Sequence, residues 1–282
     1  MFKKYWKFFV IFWSVVLVGI IGVFVFFWLI SAGKLGFMPT FEELENPNNR
    51  FASEVYFADG PIMNRYFEKE NRKYIEYREI PQSVIDALIA TEDVRFYDHS
   101  GVDVRGLFRV AKGLLTANTS AGGGSTISQQ LAKMLFPRES DLNVFELAIR
   151  KFREWVIAVR LEKSYTKEEI LTMYLNKYDF LNLAVGISSA ADIYFQVPLD
   201  SLKVEQAAML IGMAKNSSYY NPVRRPELTL NRRNVVLSQM YKYDKITREE
   251  CDSLKKLPLG LNFKRVDHKE GLATYFREYL CL

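Results

Sequence analysis

Two glutamates in this chain sit among residue types that suit proton transfer beside an anion. Glu92 opens the run Glu92-Asp93-Val94-Arg95-Phe96-Tyr97-Asp98-His99-Ser100-Gly101, directly after an apolar helical stretch. Adjacent carboxylates at a helix end, with Arg95 and His99 near them, can tune one another's pKa values and supply a general base. The same composition also describes an ordinary solvated helix terminus. Glu154 follows Arg150 by four residues and Lys151 by three. On a helix that spacing gives either a surface pair worth roughly 0.2–0.5 kcal/mol or a carboxylate held among cations beside an anionic substrate.

Between the two glutamates runs Gly122-Gly123-Gly124-Ser125-Thr126-Ile127-Ser128-Gln129-Gln130-Leu131-Ala132-Lys133. Glycines leading into a helix N-terminus suit an anionic ligand, because the first N–H groups have no partner within the helix. The stretch is not a P-loop, since Gly-Lys-Ser/Thr is missing. Thr126, Gln130 and Lys133 fall on one helix face, opposite Ile127 and Leu131. A fourth stretch, Ile170 to Asn176 followed by Gly186 and Ala190 to Phe195, reads as core helices around a tight turn.

The elements that must position these residues follow from composition and periodicity. The chain has 282 residues, 49% hydrophobic and 25% charged, which excludes a disordered or low-complexity protein. A net charge of +5 is too small to argue for nucleic acid, and no nucleic-acid partner is expected. The cysteines, Cys251 and Cys281, form no C-x-x-C pair, and His99 and His268 are the only histidines. A zinc site and a disulfide scaffold are both disfavoured, and pairing of the two cysteines stays open. Lys3, Lys4 and Lys7 precede an uncharged run from Phe8 to Ile30, long enough to span a hydrocarbon core of roughly 30 Å. That run is too long for a signal-peptide core, so it reads as a retained transmembrane anchor with the N-terminus in the cytoplasm. Beyond it, Val55 to Phe57 and Ile62 to Phe67 read as a hairpin about Asp59-Gly60, with a further strand expected at Tyr74 to Tyr77. From Pro81 the periods turn helical, with Ser83 as a candidate cap and Thr166 to Glu169 as a capping box.

The four stretches, in this order, resemble the glycosyltransferase module of class A penicillin-binding proteins, glycosyltransferase family 51. The first resembles E-D-x-x-F-x-x-H-x-G, the second G-G-S-T-I-T-Q-Q with Ser128 in place of Thr, and the third R-K-x-x-E. Tyr174-Leu175-Asn176, Ala190 to Phe195, Asn221-Pro222 and Arg232-Arg233 resemble the later motifs. The resemblance implies a mainly α, lysozyme-like helical domain behind a small β-containing stem and one N-terminal transmembrane helix. It implies these divisions: cytoplasmic N-terminus 1–7, transmembrane helix 8–30, linker and β-containing stem 31–80, glycosyltransferase domain 81–245, and the start of a linker 246–282.

The activity implied is polymerisation of lipid II into glycan strands by inverting transfer, with undecaprenyl pyrophosphate leaving. Its setting is the outer face of the bacterial cytoplasmic membrane. Glu92 is the implied base and Glu154 the second catalytic glutamate. Asp93, Arg95, Arg109, Ser125, Thr126, Gln129, Gln130, Lys133, Arg150 and Lys151 are the implied substrate-binding residues, and Phe96, His99 and Gly101 shape the first motif. A divalent cation, Mg2+ foremost, is expected on the pyrophosphate, with no protein ligand identified and no organic cofactor. Partners expected are lipid II, the growing lipid-linked glycan, membrane lipids and cell-wall synthesis proteins. Gly106 to Leu115 is basic and amphipathic, which suits either the headgroup layer or a core helix with snorkelling arginines.

The chain departs from the family pattern in two further places. Leu181 stands where the family often has Gly, and Glu146 where it commonly has Arg. Ser-x-x-K occurs without its Ser-x-Asn or Lys-Thr-Gly partners, so no transpeptidase activity is expected, and Gly271 to Leu280 resembles the linker before such a domain. An inert membrane-anchored remnant and a lysozyme-like hydrolase remain as alternatives; a hydrolase also uses two carboxylates but needs no lipid anchor.

Overall fold

The computed structural model describes residues 2–36, 38–40, 53–56, 62–66, 73–116, 123–135 and 143–264. The fold over these residues is mainly helical. Helix α1 spans Phe2–Ser31, and the strands β1 (Ser53–Tyr56) and β2 (Ile62–Tyr66) pair antiparallel, Ser53 opposite Tyr66, with an irregularity at Val55/Tyr56. The turn expected at Asp59-Gly60 lies outside the described residues. The remaining helices are α2 (Gln82–Glu92), α3 (Val104–Leu115), α4 (Ile127–Leu135), α5 (Val144–Ser164), α6 (Lys167–Lys177), α7 (Ile187–Phe195), α8 (Val204–Met213), α9 (Pro226–Lys242) and α10 (Arg248–Lys256).

Helices α2, α8 and α9 pack on one another, while α4 lies against both α5 and α6. Their apolar faces meet in one core that includes Leu88, Leu131, Leu161, Leu171, Tyr194 and Leu237. Local chemistry sets several boundaries. Thr166 and Glu169 close the expected capping box, the Glu169 carboxylate accepting the Thr166 N–H at 2.7 Å. Asn143 and Glu146 form a second box at the start of α5, with bonds of 2.9 and 2.8 Å. Glu146 therefore serves as a helix cap.

Two expectations are corrected. Ser83 does not cap α2, which begins one residue earlier behind Pro81. Tyr74 to Tyr77 is no strand: residues 73–76 are irregular and Tyr77–Glu79 is a 3-10 turn. The Asn176 side chain accepts the Ile75 N–H at 3.0 Å and donates to its carbonyl at 2.9 Å, which replaces a ladder partner. Residues on either side of the 81–245 stretch share its core. Ile75 and Ile80 join the core, and Cys251 of α10 is buried in it. Arg233 of α9, wholly buried, donates to the Pro258, Lys255 and Leu257 carbonyls and so caps the end of α10. Residues Asn262 and Lys264 then bond the Tyr194 and Ile193 carbonyls at the end of α7.

The loop between α6 and α7 carries Leu181, Asn182 and Leu183 at φ of 65°, 53° and 68°. Left-handed backbone costs an L-residue roughly 1–2 kcal/mol, and glycine is exempt. The absence of Gly at 181 thus leaves a strained turn, braced by Tyr194, whose hydroxyl donates to the Phe180 carbonyl at 2.6 Å and accepts from Asn182 at 2.9 Å. Leu181→Gly relieves the strain but loosens the unfolded chain, so a net gain of about 0.5–1 kcal/mol is expected. Thermal melting in detergent checks it: a rise of roughly 1–4 °C is expected, and a fall refutes it.

Candidate active site

Glu92 is the last residue of α2, and its carboxylate is held from two sides. Gln130 of α4 donates to Oε2 at 2.9 Å, and the Arg232 guanidinium of α9 lies 3.3 Å from Oε1. The Tyr174 hydroxyl of α6 donates to the Gln130 carbonyl oxygen at 3.0 Å, which orients the amide. Burial, with the Glu92 charge adding to it, pushes the Tyr174 phenol well above its ordinary range. Burial and the same charge take Tyr178 up to about 12. Tyr178 donates to the Met213 and Ala214 carbonyls at 3.0 and 2.9 Å. Arg232 is itself fixed, donating to the Gly212 carbonyl at 3.2 Å with its guanidinium 5.8 Å from the Tyr220 ring centroid. Helices α4 and α9 thus present donors to the carboxylate at the end of α2, and α6 braces one of them through Gln130. A carboxylate in that setting is oriented, and it can accept a proton from a substrate hydroxyl.

Glu154 is 9% exposed on α5. Lys151, one turn earlier, pairs with its carboxylate at 2.8 Å and donates to Ser125 Oγ at 3.0 Å. Ser125 and Gln130 belong to the same short segment at the start of α4. That segment therefore carries contacts leading to both glutamates: Gln130 to Glu92, and Ser125 through Lys151 to Glu154. Arg150 is half-buried on α5, while Lys133 of α4 and Arg109 of α3 are exposed.

The other residues of the two motifs turn inward. Asp93 Oδ2 accepts the Ile127 N–H at 3.0 Å, and both of its oxygens bond His99 Nε2, at 3.0 and 3.1 Å. The Thr126 hydroxyl accepts the Gln129 N–H at 3.2 Å and donates to the Gly101 carbonyl at 2.7 Å. The Gln129 amide also donates to the Gly101 carbonyl, at 3.3 Å. The first N–H groups of α4, expected to face an anion, are partly consumed by Asp93 and Thr126. Thr126 is buried and does not share an open face with Gln130 and Lys133. Arg95 pairs with Asp103, which accepts the Gly106 N–H at 2.9 Å near the start of α3. The Gly101 N–H donates to His99 Nδ1 at 3.2 Å, so the ring carries its proton on Nε2, toward Asp93. Phe96 is buried under the Lys167 ammonium, 4.3 Å from the ring centroid.

Sequence reasoning missed Arg232 as a contact of Glu92, and Lys167 with Glu162. Lys167 pairs with Glu162 at 2.7 Å and donates to the His99 carbonyl at 2.7 Å. Glu162 also accepts from the Ser128 hydroxyl, which ties the Ser128 position to the first motif. Arg232-Arg233 was visible as a pair; a helical step of about 100° sends one to Glu92 and the other under α10. Among the described residues no three His, Cys, Asp or Glu side chains converge to hold a metal ion.

Comparison with known proteins supplies the remaining observations. The family model described as transglycosylase matches residues 59–241. Penicillin-binding protein 1A of Escherichia coli (strain K12) is 36% identical over 226 residues, 80% of this chain and 26% of its own length. Penicillin-binding protein 1A of Pseudomonas aeruginosa is 35% identical over 241 residues, 86% of this chain and 28% of its own length. A crystal structure of penicillin-binding protein 1A from Haemophilus influenzae covers 83% of this chain and 24% of that one, at 22% identity and a TM-score of 0.44. The chain thus spans a little over a quarter of the length of the curated relatives it matches.

Proposed function

Because the chain belongs to the transglycosylase family, we propose that it is a peptidoglycan glycosyltransferase, with Glu92 as the general base of an inverting transfer. The observation that carries this reading is the Glu92 carboxylate itself, held by Gln130 and Arg232 and linked through the start of α4 to the Lys151–Glu154 pair. The 4-hydroxyl of an incoming lipid II attacks C1 of the donor sugar and gives its proton to Glu92. The new C–O bond forms on the face opposite the leaving group. The old bond from C1 to the pyrophosphate breaks, and undecaprenyl pyrophosphate departs with the electron pair. Cations and N–H donors stabilise such a developing charge. Lys151, held between Ser125 and Glu154, is placed for that work, with Arg150, Lys133 and Arg109 as further contributors. Asp93, Thr126 and Gln129 build the site instead of touching the substrate. A divalent cation would take its oxygen ligands from the pyrophosphate.

A membrane setting suits this substrate. Residues Tyr5–Ser31 form a helix long and apolar enough to cross a bilayer, and its aromatic and aliphatic side chains are largely exposed. Lysines before the span favour a start in the cytoplasm, with the catalytic domain outside. Phe108 of α3 and Val144 and Phe145 of α5 are 73%, 84% and 71% exposed. With Arg105, Arg109 and Lys112 on α3, they suit a headgroup layer.

The test uses the full chain in detergent with labelled lipid II and a divalent cation. Glycan polymer on a gel is the expected product. Soluble fragments released from preformed glycan would move the assignment to a hydrolase. No product from folded protein would move it to an inert membrane-bound remnant.

A further inference from the structure

We infer that Arg160 is a positioning residue that clamps the membrane anchor to the catalytic domain, so that α1 is a splint setting the height and tilt of the cleft and not a loose tether. This rests on the reading of α1 as a membrane span and of the Glu92 cleft as the lipid II site.

The last carbonyls of a helix lack intrahelical partners and carry partial negative charge, which favours a cation there. Arg160 of α5 fills that place for α1. One guanidinium nitrogen donates to both the carbonyl and the hydroxyl of Ser31, each at 2.8 Å, and the other donates to the Pro39 carbonyl at 3.0 Å. One planar group therefore grips the end of the anchor and the segment that leaves it. Between these points the backbone turns at Gly33 and Gly36, with φ of 71° and 114°. A Cβ on Gly36 would meet the Arg153 guanidinium, so the turn lies against that side chain of α5. Two turns before Arg160 on α5, Phe152 meets Phe26 and Phe27 edge-on at 5.3 and 5.8 Å, and Ile30 is fully buried.

The anchor thus touches α5 at 152 and 160, which bracket Glu154, and the segment that leaves it meets Arg153. These contacts run along roughly 12 Å of helix. A lipid-linked pyrophosphate is held at the interface by its own tail. The cleft must meet it at a set height, and a misplacement of about 1 Å can cost on the order of 100-fold in rate. A short-chain, water-soluble lipid II analogue carries no such constraint.

Two measurements on the full chain test the clamp, with Arg160→Ala and Arg160→Lys compared with the parent. The first is turnover of long-chain lipid II in bilayer nanodiscs against that of the short-chain analogue in detergent. Arg160→Ala is expected to lose about tenfold or more on the long-chain substrate and less than about twofold on the analogue, with partial recovery in Arg160→Lys. Equal loss on both substrates, or loss on neither, overturns the proposal. The second reads geometry without activity, from spin labels at Val18 and Arg248 in a Cys281→Ser background. A narrow distance distribution in the parent that broadens in Arg160→Ala supports the clamp; equal widths overturn it. Should the parent make no polymer, the glycosyltransferase reading fails, while the label distances still decide the clamp.

Discussion

Glu92→Gln is expected to lower kcat for lipid II polymerisation by about 10²–10⁴-fold, with KM changed far less. The amide keeps the shape of the carboxylate but cannot take the proton of the attacking hydroxyl. Its cost to folding is expected to be small, yet not zero. Gln130 and Arg232 both present donors to the two oxygens of Glu92. A carboxylate answers both, whereas an amide offers one acceptor and turns its NH2 toward the other donor, an unmade bond worth about 1 kcal/mol. Single-turnover and steady-state gel assays on the folded variant measure the effect. A variant polymerising at the parental rate would remove Glu92 from the role of base. Glu154→Gln serves as the companion, since its carboxylate is held by Lys151 and stands on the other side of Ser125.

The second large effect is on stability. Gly101 has φ of 93°, and a Cβ there would lie 2.7–2.8 Å from the Ala158 carbonyl group and the Val159 nitrogen. Those are backbone atoms in the middle of α5, which cannot yield without moving the helix. Gly101 also accepts the hydroxyl of Thr126 and the amide of Gln129, and its N–H bonds His99. One residue thus joins the first motif to both α4 and α5. Gly101→Ala is expected to cost about 3 kcal/mol or more through steric overlap and left-handed strain. Melting in detergent would then fall by roughly 6–12 °C. Ser100→Ala, one residue away and exposed, is the control and should leave the midpoint in place. An unchanged midpoint in Gly101→Ala would refute the close packing of this motif on α5.

Particular residues show how far the sequence could be read. The span at Phe8 to Ile30, the capping box at Thr166 and the helical periods beyond Pro81 were legible because they depend on neighbours within one turn or one apolar run. Glu92, Gln130, Lys151 and Glu154 were legible as residue types at spacings that suit the chemistry. The roles of their neighbours were not. The resemblance names Asp93, Thr126 and Gln129 among the substrate-binding residues; in the fold they also cap α4 and brace Gly101. A short polar side chain before a helix satisfies free N–H groups as readily as an anion does, and only the position of Asp93 in space decides between them. Arg232 sits 140 residues from Glu92 and no local pattern joins them.

By itself, then, the sequence determined what local physics decides: one apolar span, a helical remainder, and the candidate-site residue types in an order that resembles one family. Tertiary structure decided which of those residues share a carboxylate, which are consumed in holding the backbone, and that packing runs past residue 245 to α10. It also decided that the end of α1 meets the Arg160 guanidinium. Each of these depends on groups brought together from distant parts of the chain, where burial leaves a donor or charge to be satisfied by whatever the fold places beside it.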